Sequence, residues 1–588
     1  MEKWLIKNIK FDYDEMVKSC HVDPVTARLL VNRGIVDYKR VNEFINATLS
    51  DFNNALHMKD LNKGVLLIKN HIDSNKSILI VGDYDVDGVI SSYLLYKALT
   101  RCGANVNYHI PDRIKEGYGI NESIIRKAHE DKVDLIITCD NGIAAIDQVD
   151  LANELGISVI ITDHHDIPFV EENGERKFIV PKAKAVINPK QSDCDYSFKS
   201  LCGAGVVYKF IEELYKQYNI SNEETIELLQ YVAIATVCDV VDLIDENRII
   251  VKTGLELLNN TKNIGLKALF EETEVKDKKI TVYTLGFVLG PSINASGRLE
   301  QAFWALELLL TEDENKAKEL AKKLNELNKE RQELTKEGFE KAISIIENEN
   351  MSSDKVLVVY LESVHESIAG IVAGRIREKY NLPTIVLTKT HEGAKGSGRS
   401  IEEYNMFEEL LKCKDLLGKF GGHPMAAGMS IPVENIDEFR KRLNSECSLT
   451  AEDITPKIRI DLALPIKGIN YELIDRIYLL EPYGKGNSKP LFGVKKLKVL
   501  EGRILGKNSN VLKLKLTDGR LVIEGVYFGD IKSFEEEIIG HYGEDEYNKL
   551  LNGRPNSVFL DLTYFPEINE YMGNKKIQLV ISNYRISQ

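Results

Sequence analysis

Acidic and imidazole side chains recur in short segments of this sequence, each directly after an apolar run. "GDYDVDG" sets Asp83, Asp85 and Asp87 at alternate positions behind "SILIV". Asp140 closes "LIITCD", Asp163, His164 and His165 follow "VIIT", and Asp239 and Asp242 follow "ATVC". Carboxylates gathered in one cleft repel, and burying each without compensation costs on the order of several kcal/mol. Divalent cations resolve that conflict. Mixed carboxylate and imidazole donors suit Mn²⁺ or Mg²⁺, whereas Ca²⁺ takes oxygen donors and structural Zn²⁺ favours thiolates. Four or more carboxylates with a histidine exceed the needs of one ion. The set therefore points to a pair of cations, the arrangement of phosphatases and nucleases. The D-x-D-x-D-G spacing also opens EF-hand loops, which need flanking helices and a bidentate Glu at position twelve. That position is Leu94, and the run before the loop reads as a strand.

The elements that must position these residues follow from the apolar pattern. Between about 75 and 190, "SILIVGD", "NVNYHIPDR", "VDLIITCD", "SVIITDHH" and "AVINP" alternate with helical segments. Continuous apolar strands alternating with helices predict an α/β, doubly wound parallel sheet. The acidic turns then lie at strand ends on one side of the sheet, where such folds build sites. Residues 200–310 read as helical, and 312–346 as one long charged helix with apolar positions at helical spacing. A second, smaller α/β segment spans 353–446, with strands "KVLVVYLE" and "PTIVLTK" and a glycine-rich tail. From 457 onward, short strands separated by Gly, Asn and Asp turns predict a small barrel of OB type. The expected division is a helical segment 1–74, a parallel-sheet domain 75–310, a connecting helix 311–350, a second α/β domain 351–450 and a barrel 456–588.

A chain of 588 residues is too long for one ordinary core. Its net charge of −14 excludes a general polyanion-coating role, though a local groove can still be basic. Eight cysteines without a C-x-x-C pair read as reduced core thiols. "MEKWLIKNIK" lacks an apolar signal core and no long apolar run follows, so a cytoplasmic location without membrane association is expected.

The order and spacing of "GDYDVDG", "CDNG", "TDHH" and "ATVCDVVDLIDENR" resemble the four motifs of the DHH phosphoesterase superfamily. "YHIPDRIKEGYGIN", "GPSINASGRLE", "HESIAGIVAGRI", "KGSGRSI", "FGGHPMAAG" and "LEPYGKGN" further resemble its RecJ family of single-stranded-DNA exonucleases, over nearly the whole chain. The resemblance implies 5′→3′ release of 5′-mononucleotides in DNA repair and recombination. It implies two divalent ions, Mn²⁺ or Mg²⁺, on Asp85, Asp87, Asp140, His164 and Asp239. Asp140 would be the bridge, Asp83 a further ligand or supporting group, and His165 the group beside the scissile phosphate. The same resemblance implies catalytic, substrate-binding and nucleic-acid-binding roles for 75–310, 351–450 and 456–588. Single-strand-binding protein and a RecQ-like helicase are the implied partners.

Within the same motifs, Arg113, Arg298, Ser397 and Arg399 are candidates for holding phosphate. Gly421 and Gly422 permit close backbone approach, and His423 could donate to an anion. Two positions depart from some members of the resembled family, Val81 standing where they have a histidine and Ser292 where they have an arginine. In the barrel, Lys495, Lys496 and Lys498 accompany Tyr527, Phe528, Tyr564 and Phe565, the mixture of a single-strand binder, although at least half of such aromatics should be core. Two other readings compete: a DHH phosphodiesterase for short oligoribonucleotides or cyclic dinucleotides, and a non-catalytic DNA-binding scaffold.

Overall fold

The computed structural model describes residues 2–172, 175–391, 393–506, 509–571 and 573–587. They form two compact units, one of Asn53–Val241 with Glu246–Pro456, the other of Met1–Phe52, Asp242–Asp245 and Lys457–Gln588.

The first of these is built on strands β1 (Ser77–Val81), β2 (Asn105–His109), β3 (Leu135–Cys139), β4 (Ser158–Thr162) and β5 (Ala185–Ile187), all parallel in the order β2-β1-β3-β4-β5. All five residues of β3 are buried, as the unbroken apolar run requires of a strand covered on both faces. Chain direction across the sheet reverses beside β1, because β2 lies on one side of it and β3 on the other. Such a switch point leaves a crevice at the carboxyl ends of the strands. Helix α1 (Val86–Arg101) starts there. Helices α2 (Gly203–Gln217), α3 (Leu229–Cys238) and α4 (Gly290–Leu299) pack around it. The charged segment forms a single helix of 35 residues, α5 (Glu314–Asn348), whose start Asp313 caps by accepting from the amides of Asn315 and Lys316.

A second sheet follows in the same unit: β6 (Leu357–Tyr360), β7 (Thr384–Thr390), β8 (Gly393–Arg399), β9 (Phe420–His423) and β10 (Ala426–Ile431), ordered β9-β10-β8-β7-β6. Only β6 and β7 run parallel, with helix α6 (Ala369–Tyr380) between them in sequence. The glycine-rich "GAKGSGR" is itself a strand. Its glycines conceal strand propensity but serve packing: a Cβ on Gly396 would lie 2.5 Å from Leu387 Cδ2.

In the other unit, strands Phe492–Leu505, Val511–Thr517, Val522–Tyr527, Asn574–Ile586 and Phe559–Tyr571 pair in that order. Phe559–Tyr571 pairs back onto Phe492–Leu505 and closes a five-stranded barrel. Tyr564 and Phe565 are core residues, Tyr527 is half-buried, and Phe528 is 62% exposed. Helices Tyr13–Cys20, Pro24–Val31 and Tyr38–Asn46 share the barrel's core through Met16, Leu29, Leu30 and Val41. Lys3–Ile6 is a strand, paired in parallel with Lys457–Ile460. Among the described residues no helix is long and apolar enough to cross a membrane.

Candidate metal centre

The loop from β1 into α1 carries the first three carboxylates. Asp85 caps α1 by accepting from the Gly88 amide at 3.0 Å. Gly88 has no room for a side chain, since a Cβ would sit 2.5 Å from the Asp83 carbonyl oxygen. Asp87, in the first turn of α1, is buried and accepts from the Gly203 amide at 2.6 Å and the Ala204 amide at 2.8 Å. Those amides open α2, and a helix N-terminus is a natural seat for an anion. Asp140 follows β3 in the left-handed region, at φ 60°. Its amide donates to the Thr162 carbonyl at 3.0 Å and its carbonyl accepts from the Tyr118 hydroxyl at 2.7 Å. Asp239 sits at the C-terminal end of α3.

At the end of β4, Asp163 accepts from the amides of Ile143, His164 and His165 at 2.8, 2.7 and 3.0 Å. The same carboxylate lies 2.7 Å from His165 Nδ1. His164 turns inward. Its Nε2 is 3.1 Å from Asp140 Oδ1, 3.6 Å from Asp87 Oδ2 and 3.7 Å from Asp239 Oδ2.

Donor atoms within 4.8 Å of one another form three overlapping groups: Asp87 with His164 and Asp239, Asp83 with Asp85 and Asp140, and Asp140 with His164 and His165. Asp140 belongs to two of them. Asp83 Oδ1, Asp140 Oδ1 and His164 Nε2 are buried without a hydrogen-bond partner. Buried polar atoms are almost always satisfied, so unpaired acceptors gathered in overlapping donor groups fit cations. The electrostatics agree. Burial, then neighbouring carboxylates, pushes Asp87 up to about 6 and Asp239 to about 8, and holds Asp83 and Asp140 well above the usual range. Burial and the charge of His165 bring His164 down to about 3. Burial opposes a charge on His165, yet its hydrogen bond to Asp163 and the nearby carboxylates outweigh it and raise it to about 9.

The DHH family, N-terminal domain, matches residues 77–236, the DHHA1 domain 353–449 and the RecJ OB domain 460–583. The single-stranded-DNA-specific exonuclease RecJ of Bacillus subtilis is 36% identical over 97% of this chain and 69% of its own length. That of Haemophilus influenzae is 32% identical over 95% of both. The chain belongs to the RecJ family. The crystal structure of RecJ in complex with Mn²⁺ from Thermus thermophilus superposes with a TM-score of 0.80 at 25% identity, over 99% of this chain and 79% of that one.

The phosphate candidates fall into two places. Arg298 donates from Nη1 to the Ser367 carbonyl at 2.9 Å, just before α6. Arg399 donates to Ser397 Oγ at 3.0 Å and to the Gly398 carbonyl at 2.7 Å. A Cβ on Gly370 would lie 2.7 Å from both Arg399 Nη2 and Ser397 Oγ, so the start of α6 links Arg298 to the Ser397 and Arg399 pair. Burial, then the charges of Arg113 and Arg331, brings Arg298 down to about 10. Arg113 itself lies over the Tyr84 ring at 5.0 Å. Gly421, Gly422 and His423 are exposed on β9, and His423 Nδ1 is 3.7 Å from Asp166 Oδ2, close behind His165.

Other candidates take different roles. Asp242 pairs with Lys485 at 3.8 Å in the barrel-containing unit. Val81 is buried at the end of β1 and offers no donor. Ser292 is buried, donating to the Val288 carbonyl at 2.9 Å with Asn328 Nδ2 at 3.3 Å, which makes it a packing residue of α4. Motif reading passed over Tyr118, and also Asn141, whose Nδ2 donates to the carbonyls of Val81, Gly82 and Cys139 at 3.1, 3.0 and 2.9 Å. Both sit in quoted motifs, "GYGIN" and "CDNG". Their work is to hold backbone, which leaves no signature in residue type.

Proposed function

We propose that the chain is a 5′→3′ exonuclease that degrades single-stranded DNA to 5′-mononucleotides by two-metal-ion phosphodiester hydrolysis, in DNA repair and recombination. The observation that carries this reading is the convergence of Asp85, Asp87, Asp140, His164 and Asp239 on one crevice with buried acceptors left unpaired. Those five residues would hold two divalent ions, with Asp140 shared between them and Asp83 as a further donor. Mn²⁺, present in the Thermus relative, and Mg²⁺ both suit the donors. When bound, the ions supply Lewis-acid polarisation of phosphate and water.

The protein's own groups do the rest. His165, oriented by Asp163 and held as imidazolium, donates to a non-bridging oxygen of the scissile phosphate. Arg298, Arg399, Ser397 and Arg113 receive phosphate, and the exposed Gly421-Gly422-His423 edge flanks the strand. Residues 75–310 then act as the catalytic domain and 351–450 as the substrate-binding domain, joined by 311–350, with 1–74 and 456–588 completing the enzyme. The OB barrel would bind single-stranded DNA, single-strand-binding protein and a RecQ-like helicase would cooperate with it, and the cytoplasm would be its compartment.

The test is digestion of 5′-labelled and 3′-labelled single strands, DNA and RNA in parallel, with Mn²⁺ or Mg²⁺ and with matched duplexes. Immediate release of labelled mononucleotide from 5′-labelled single-stranded DNA alone is the expected result. Cleavage confined to very short RNA, or none with either ion, would overturn it.

A further inference from the structure

Helix α4 is preceded by Val282–Thr284 and by a wider π-helical turn, Leu285–Leu289. The two elements together carry an unusual pair. Tyr283 is 67% exposed and Phe287 71%, yet their rings stack on each other, with centroids 4.9 Å apart and planes at 21°. Single exposed aromatics are ordinary; two stacked in water present a continuous apolar plate that no other described residue covers. Local π turns occur often at functional sites.

The plate is fixed to the metal centre. Cys238 Sγ donates to the Leu285 carbonyl at 3.5 Å, and Gly290 leaves room for the same sulfur, which a Cβ would approach to 2.4 Å. The residue after Cys238 is Asp239. Next comes Val240, 59% exposed and in the left-handed region at φ 57°, a conformation that a β-branched residue adopts only under constraint.

The segment leading into the plate, "KDKKITVY", is basic in a chain of net charge −14. Lys278 and Lys279 are exposed, and neither forms an ion pair among the described residues. Cations a few residues ahead of flat apolar faces in the chain, with those faces tied through Cys238 to the element that carries Asp239, match one ligand: a nucleic-acid strand whose bases stack while its phosphates meet the lysines. We infer that Tyr283 and Phe287 form a base-stacking platform for the single strand, with Lys278 and Lys279 following its backbone. The inference rests on the nuclease reading and adds a subsite to it.

The test uses the full chain and 5′-phosphorylated dT20, unmodified or with one abasic site moved along the strand. Anisotropy measures binding in EDTA, and steady-state hydrolysis with Mn²⁺ gives KM. Wild type should lose affinity by at least about five-fold when the abasic site falls in a window of one or two positions, as removal of one stacking partner predicts. A Tyr283→Ala and Phe287→Ala double variant should raise KM by a similar factor and be blind to the abasic window. Its thermal shift on adding Mn²⁺ reports whether it is folded. Should it fail to fold, the abasic scan on wild type still decides, since equal affinity at every position overturns the platform. A folded variant that binds dT20 like wild type also overturns it, whether or not its oligomeric state changes. Strand binding that depends on the two rings in a wild type that never cleaves would support the platform and sink the nuclease reading.

Discussion

His165 Nδ1 lies 2.7 Å from Asp163 Oδ1, and that carboxylate is fully engaged, accepting three backbone amides as well. Burial would raise Asp163, but its bond to His165 and the two imidazoles bring it down to about 2. Asp163 therefore stays ionised and fixes the imidazolium. Replacing Asp163 with Asn keeps the shape and removes the charge. The expected loss in kcat is about 10²-fold or more, the usual weight of a positioned donor to a developing oxyanion. Mononucleotide release from labelled DNA measures it, and an unchanged kcat would show that His165 needs no orienting partner.

Tyr118 should matter through Asp140. Its hydroxyl donates to the carbonyl of a residue held at φ 60°, and its ring meets His165 edge-on at 5.8 Å. Tyr118→Phe removes one half-buried hydrogen bond, worth up to about 1 kcal/mol of stability. The predicted outcome is a fold retained by circular dichroism, with kcat reduced about ten-fold by misplacement of Asp140 and His165.

Without cations, the cluster should make stability depend on pH. Asp239 at about 8 and His165 at about 9 are both raised, so the folded chain keeps protons that the unfolded chain has released. Their stabilising protonation is lost as pH rises through those values. His164, lowered to about 3, acts in the opposite sense but only below about pH 6.5. In EDTA, Tm should therefore fall between about pH 6.5 and pH 9. Saturating Mn²⁺ should raise Tm and flatten the slope, and identical slopes with and without Mn²⁺ would refute the account.

Asp140→Asn separates stability from activity. The amide removes one buried charge from a repelling set while tolerating the left-handed backbone. In EDTA at about pH 8 its Tm should exceed that of wild type, while cleavage drops by about 10³-fold or more and the Mn²⁺-induced Tm rise shrinks. A variant less stable than wild type under those conditions would argue against carboxylate repulsion at this position.

Much of this was legible in the sequence because period and type coincide there. The apolar runs before Asp83, Asp140 and Asp163 mark parallel strands, and the acidic residues at their ends mark the crevice side. The long helix and the barrel strands declared themselves through spacing in the same way. The strand Gly393–Arg399 did not, since glycine carries no β preference and only the neighbouring side chains show why it is required. Tyr118 and Asn141 also escaped notice: each satisfies backbone groups of a distant loop, and nothing in one chain's spelling distinguishes such a clasp from an ordinary polar residue. Tyr283 and Phe287 are, by residue type and spacing alone, indistinguishable from core aromatics.

The pairing of Lys3–Ile6 with Lys457–Ile460 also sets a schedule for the protein's birth. During translation, residues 3–6 must wait for roughly 450 more to be made, tens of seconds at about 5–20 residues per second. Through that interval Trp4 and the neighbouring helices lack the barrel they pack against, whereas the two sheets that carry the metal and phosphate residues can already assemble. A message truncated before codon 457 would thus release a chain with its centre formed and its leading segment unpaired, a natural handle for chaperones and proteases.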